Sequence, residues 1–258
     1  MGRLDEVAIS RAILDAYHHD LATHLSSDVV IVGAGPAGMV AAYDLARAGR
    51  SVTILEKRLA PGGGIWGGGM AMNQAVIQEP VVPLLDEFGV RHQACGEGLY
   101  TVNAIELAAG LVVRALQAGA AIFNLVTVED PCVHGNRVCG VVANRTLVGG
   151  ALPVDPITFA SQAVLDTTGH EAVLVGTLRR RGLITTGPAA TGLEGPMDAD
   201  AGEAFVVDNA SEVYPGLWVA GMAVCATLGG PRMGPIFGGM LMSGRRAAGQ
   251  LIEACPKR

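Results

Sequence analysis

The chain has 258 residues, half of them hydrophobic and only 16% charged, which gives it the length for a sizeable core and excludes a disordered chain. Its 18 basic and 24 acidic residues leave a formal charge of −6, and no basic run exceeds Arg179-Arg180-Arg181, which excludes a nucleic-acid footprint. With 4% aromatic residues and 36 glycines, the core must be built from Ala, Val, Leu and Ile, as in parallel strands covered on both faces by helices.

In chain order, residues 5–23 set Val7, Ile9, Ile13, Leu14, Tyr17 and Leu21 among charges, which predicts an amphipathic helix and no secretory leader. Residues 28–33 predict a short buried strand, residues 38–48 a helix ending at Gly49, and residues 51–56 the next strand. This β-α-β unit opens a doubly wound sheet. Residues 60–69 form a glycine-rich loop, and helical patterns follow around 73–89 and 103–119. From 120 to 147 the pattern turns to strands, with His134-Gly135-Asn136 as a hairpin turn. Residues 158–168 predict a strand ending at Thr167-Thr168-Gly169-His170. Residues 186–203 are rich in turn formers and carry Asp198, Asp200 and Glu203, which predicts a solvated, mobile loop. A strand at 216–220 leads into a glycine-rich stretch at 229–239, and a closing helix runs to about Ala254.

No repeat or linker divides the chain, so one domain over residues 1–258 is expected. The fold class is α/β, a FAD/NAD-binding Rossmann-like doubly wound parallel sheet with an inserted antiparallel β-meander. The longest uncharged stretches, 59–78 and 213–231, are broken by Gly and Pro, against membrane helices. Five scattered cysteines predict free thiols and a cytoplasmic protein. There is no Gly-x-Ser-x-Gly hydrolase elbow.

The chemistry starts at Gly33-Ala-Gly35-Pro-Ala-Gly38, between a strand and a helix. Gly33 permits the tight turn, Gly35 lets a pyrophosphate approach the backbone, and Gly38 lets the helix pack close to the strand. The helix N-terminus offers N–H groups and a positive dipole end to phosphate. Glu56, at the end of the second strand, is placed to bond ribose hydroxyls and repel a 2′-phosphate, favouring NAD or FAD over NADP. A flavoprotein, a nicotinamide dehydrogenase and an enzyme that consumes NAD all remain compatible with this fingerprint alone.

Four stretches together resemble the thiamine thiazole synthase family, especially its archaeal and bacterial members. They are residues 30–38, the Gly62-Gly-Gly-Ile-Trp-Gly-Gly-Gly69 loop, Val154-Asp-Pro156 with Thr168-Gly-His170, and Gly230-Pro-Arg-Met-Gly-Pro-Ile-Phe-Gly-Gly-Met240. The resemblance implies a homo-oligomer, expected to be an octamer. It also implies an enzyme that strips nicotinamide from NAD and condenses the ADP-ribose with glycine. Sulfur is then added, with Fe(II) assisting, to give an adenylated thiazole carboxylate for thiamine. Asp155 and His170 match the family's iron ligands, in a site shared between subunits, and Arg232 matches the arginine that grips the glycine carboxylate. Gly33, Gly35, Gly38, Glu56, Lys57 and Gly64 match dinucleotide contacts. Ala37, Val128, Pro153, Val154 and Met222 do so more loosely. Ala37 stands where family members often have serine, so a hydroxyl contact is missing.

Pro153 is the main departure. Eukaryotic members carry a cysteine at this position, two residues before the aspartate ligand, and surrender its sulfur in a single turnover. Many archaeal and bacterial members have histidine there and use free sulfide. Proline offers neither nucleophile nor ligand, so self-donation from this position is excluded and sulfide is the expected donor. Two rivals share the fingerprint: a FAD-dependent oxidoreductase of the same fold, and a non-catalytic NAD or ADP-ribose binder.

Overall fold

The computed structural model describes residues 4–148 and 154–257. Helix α1 (Glu6–Thr23) starts where the Asp5 carboxylate accepts the Val7 N–H at 3.0 Å. Strand β1 (Ser26–Val32), helix α2 (Pro36–Arg47) and strand β2 (Val52–Glu56) form the opening β-α-β unit as the glycine pattern predicts. After the glycine-rich loop come β3 (Gln74–Gln78), α3 (Val82–Phe88), β4 (His92–Gly96), β5 (Leu99–Asn103) and α4 (Ala104–Ala118). Asn103 caps α4 by accepting from Ile105 and Glu106, and Gly119 ends it at φ +103°.

Strand β6 (Ala121–Asn124) is followed by β7 (Val126–His134), β8 (Arg137–Arg145) and β9 (Ile157–Asp166). The rest of the chain holds α5 (Val173–Arg180), α6 (Pro188–Thr191), β10 (Gly195–Met197), α7 (Ala199–Asp208), β11 (Ser211–Tyr214) and β12 (Leu217–Val219). It ends with α8 (Met222–Leu228), β13 (Pro231–Arg232) and α9 (Gly238–Ala254).

The main sheet runs β11-β12-β9-β1-β2-β6, with β12, β9, β1, β2 and β6 parallel. Strands β7, β8 and the first half of β9 make the antiparallel meander, so β9 belongs to both. Successive residues of β1 feed opposite faces: Val29 and Ile31 join the cluster under α2, α4 and α9, while Val30 and Val32 join the one under α5 and α8. This is why β1 is buried from Ser27 to Val32 rather than alternating between buried and exposed residues.

Two expectations are corrected. The apparent helical pattern at 73–89 is strand β3 followed by α3. Buried Ala75 and Ile77 alternate with more exposed neighbours, Pro80 lies between the two elements and Pro83 in the first turn of α3, and β3 pairs with β5 in a small β3-β5-β4 sheet. The segment at 186–203 is not a solvated loop. Asp198 caps α7 by accepting from Ala201 at 3.1 Å, and Glu203 is buried, accepting hydrogen bonds from Gln78 and from the Gly239 N–H. Its acidic residues serve caps and buried contacts as well as water.

Candidate active site

A cavity of about 1240 Å³ opens at the carboxyl ends of β1, β2 and β9, where ligands of doubly wound sheets bind. Gly33 turns the chain there at φ +99°, and a Cβ on it would sit 2.8 Å from the Thr167 carbonyl oxygen. Gly35 is the N-cap of α2; no side chain caps that helix end, so its first-turn N–H groups are available to a phosphate. Both glycines and Ala37 line the cavity. Gly38 lies behind them and packs the helix: a Cβ would approach Gly33 O to 2.3 Å and Thr167 Oγ1 to 2.7 Å.

Glu56 is buried at the cavity wall, its carboxylate accepting the Ala34 N–H at 2.8 Å and the Arg58 N–H at 2.7 Å. Each oxygen retains a lone pair for a ribose hydroxyl. Lys57 Nζ pairs with Glu171 at 2.7 Å, linking the end of β2 to the loop after β9 beside the cavity. Gly64, Val128 and Met222 line the cavity as well.

The far part of the cavity is built on Asp166, the last residue of β9. Fully buried, it accepts from the Thr168 N–H at 3.0 Å, the Thr168 hydroxyl at 2.7 Å and the Leu174 N–H at 2.9 Å. Burial raises its pKa and these hydrogen bonds pull back against that. The contacts fasten the turn that presents His170. Its Nδ1 lies 2.5 Å from Glu194 Oε1, while Glu194 Oε2 lies 3.7 Å from Nε of Arg232. All three residues line the cavity. Glu194 was not singled out by the sequence reading. It is a lone acid between Leu193 and Gly195 in a turn-rich stretch, and nothing local sets it apart.

Asp155 lies elsewhere in this subunit. It and Val154 are exposed just before β9 and do not line the cavity, and the ten extended residues of β9, about 30 Å of chain, separate them from His170. Among the described residues no group of three or more His, Cys, Asp or Glu could hold a metal. His170 faces the cavity with one nitrogen committed to Glu194, which leaves Nε2 as the ligand atom on offer. Pro153 lies outside the described residues. All five cysteines are free and none lines the cavity. Cys225 is fully buried, its thiol pushed up to about 11 by burial and by the nearby Glu194 charge.

Comparison with known proteins gives the site its context. No helix among the described residues is long and apolar enough to cross a membrane. The model of the Thi4 family matches residues 10–237. The thiamine thiazole synthase of Thermococcus kodakarensis is 51% identical over 98% of this chain and 99% of its own length. That of Thermotoga maritima is 49% identical over 94% and 95%. The crystal structure of Thermovibrio ammonificans THI4 superposes with a TM-score of 0.93 at 44% identity, covering 98% of each chain. The chain belongs to the Thi4 family of thiamine thiazole synthases.

Proposed function

We propose that this thiazole synthase consumes NAD and glycine, takes its ring sulfur from free sulfide, turns over many times, and works with Fe(II) held by His170 and by Asp155 of the partner subunit. The observation that carries the reading is the cysteine-free cavity: none of the five thiols lines it, and Cys225 is buried and held protonated. The undescribed residues 149–153 add no cysteine. With no thiol at the cavity, the sulfur source is an external reduced donor.

The residues divide the work. Glu56, fixed by two backbone N–H groups, receives the adenosine ribose, and the first turn of α2 receives the pyrophosphate. Lys57, Gly64, Val128 and Met222 border the rest of the dinucleotide. The Arg232 guanidinium pairs with Glu194, its Nε 3.7 Å from Oε2, and its terminal nitrogens, with no hydrogen bond to Glu194, offer the glycine carboxylate a bidentate match. Nicotinamide leaves the ribose, and the glycine amine condenses with the ADP-ribose that remains. Iron, when bound, supplies an open coordination position for sulfide.

Two further features support the assembly in this reading. The two ligands lie at opposite ends of β9, so a joint site needs two copies. Helix α1 has no fully buried residue and leaves Val7, Ile13 and Leu14 more than half exposed, a face suited to a homo-oligomer such as an octamer. The free thiols fit a reducing cytoplasm. The test is His170→Ala, with nicotinamide release and thiazole formation measured separately. Thiazole formation should vanish while nicotinamide release persists; equal loss of both would contradict the assignment.

A further inference from the structure

We propose that Glu194 is the positioning residue of this active site. One carboxylate fixes the tautomer of His170 through one oxygen and the direction of the Arg232 guanidinium through the other. The inference rests on the assignment of His170 and Arg232 above, and it names what holds them.

The geometry is direct. Glu194 Oε1 stands 2.5 Å from His170 Nδ1, and Oε2 stands 3.7 Å from Arg232 Nε. An ionised carboxylate only accepts, so the ring nitrogen facing it carries the proton. Nε2 is then unprotonated with its lone pair available, the state a metal ligand requires. The nearest Arg232 nitrogen to the carboxylate is Nε, in an ion pair at 3.7 Å, and no hydrogen bond ties the terminal nitrogens to Glu194, so they can grip a second carboxylate in parallel. The exposures follow the same division. The side chains of His170 and Arg232 are 54% and 59% exposed, whereas that of Glu194 is only 17% exposed. The two groups that meet substrates are open, and the one that aims them is sheltered.

The backbone that carries Glu194 is unusually well fastened. Arg179 donates to the carbonyls of Ala189, of Gly192 at 3.1 Å and of Thr227 at 2.8 Å, which ties the approach to Glu194 onto α8. Gly192 lies so close to α8 that a Cβ there would meet Thr227 O at 1.9 Å. Immediately after Glu194, the Gly195 N–H donates to Gly230 O at 2.8 Å, and β10 pairs in parallel with β13, the strand of Arg232. The carboxylate therefore stands one residue before β10, and the guanidinium on β13, its partner strand. His170 comes separately, on the Asp166-anchored turn after β9. Glu194 is where these two independently supported pieces meet.

The experiment compares wild type, Glu194→Gln and Glu194→Ala as metal-free, full-length protein. Solid-state 15N NMR of histidine-labelled protein reads the tautomer, with His170→Asn identifying the resonance. Wild type should carry the His170 proton on Nδ1, Glu194→Ala should move it to Nε2, and Glu194→Gln, whose carbonyl still accepts, should keep it on Nδ1. In parallel, Co(II) affinity should fall about 10- to 100-fold in Glu194→Ala. The glycine KM should rise about tenfold in both variants, because both remove the charge facing Arg232.

A wild-type His170 protonated on Nε2, or an unchanged tautomer and glycine KM in Glu194→Ala, would overturn the proposal. Co(II) binding that is indifferent to His170→Asn would refute the metal assignment instead, while the tautomer and KM results still decide the role of Glu194.

Discussion

Gly38 and Gly35 stand three residues apart in one motif, and the structure gives them different jobs that substitution separates. A Cβ at Gly38 would lie 2.3 Å from Gly33 O and 2.7 Å from Thr167 Oγ1. Neither atom can yield easily, because the Thr167 hydroxyl already donates to Gly33 O at 2.7 Å and to Val32 O at 3.0 Å. The helix must back away from β1. A 2.3 Å approach to a backbone atom puts the overpacking in the upper part of its range, roughly 2–3 kcal/mol, offset by about 1 kcal/mol of gained helix propensity. Gly38→Ala should therefore lose about 1–2 kcal/mol and lower Tm by about 2–8 °C. It should also raise the KM for NAD, since α2 carries the phosphate-facing N–H groups. Gly35 differs: its φ is −78°, and a Cβ would come no closer than 4.0 Å to Thr167 O, so it would point into the cavity. Gly35→Ala should leave Tm within about 1 °C and raise the NAD KM about tenfold, equivalent to about 1.4 kcal/mol. Scanning calorimetry and nicotinamide-release kinetics on both variants make the test. A Gly38→Ala protein as stable as wild type, or a Gly35→Ala protein with unchanged KM, would refute the division.

Three other outcomes follow from single residues. Ala37→Ser returns a hydroxyl to the first turn of α2 at the cavity wall; it should lower the NAD KM by about 2- to 10-fold, the worth of one hydrogen bond. Cys225, with its thiol near 11, should resist iodoacetamide in the folded protein while exposed Cys95 reacts, as read by peptide mass spectrometry, and Cys225→Ala should leave turnover unchanged. Burial raises Glu203 above its ordinary 4.5, so the folded chain holds this proton more tightly than the unfolded one. The stability this contributes is present below 4.5 and is lost as pH rises through the raised value. The Tm of Glu203→Gln relative to wild type should therefore climb from acidic to alkaline buffer, and a flat difference would argue against a buried, raised carboxyl.

Much of this was legible in the sequence, for identifiable reasons. The β1-α2-β2 unit could be read because two of its three glycines leave no room for a Cβ, while the third keeps the backbone open to the cavity. Helix α4 has its boundaries written in Asn103 and Gly119, and the β7–β8 hairpin in Gly135-Asn136. The likeness to the thiazole synthases separated this chain from flavin-dependent oxidoreductases when the dinucleotide motif alone did not.

What escaped depends on contacts far apart in sequence. Strand β3 is defined by its pairing with β5 and resembles a helix while Val81, Val82, Leu84 and Leu85 are read along with it. Glu194 gains its meaning only from His170 and Arg232, 24 residues before it and 38 after. Glu203 looked solvated until the fold brought Gln78 and Gly239 around it.

In the proposed reaction sulfur enters from outside the chain. Anaerobic turnover with NAD, glycine, Fe(II) and isotopically labelled sulfide tests it most directly, with thiazole counted per subunit and the intact protein weighed afterwards. An external donor gives labelled ring sulfur, several equivalents of product per subunit and an unchanged protein mass. Unlabelled product capped at one equivalent, with a cysteine converted to dehydroalanine, would contradict it.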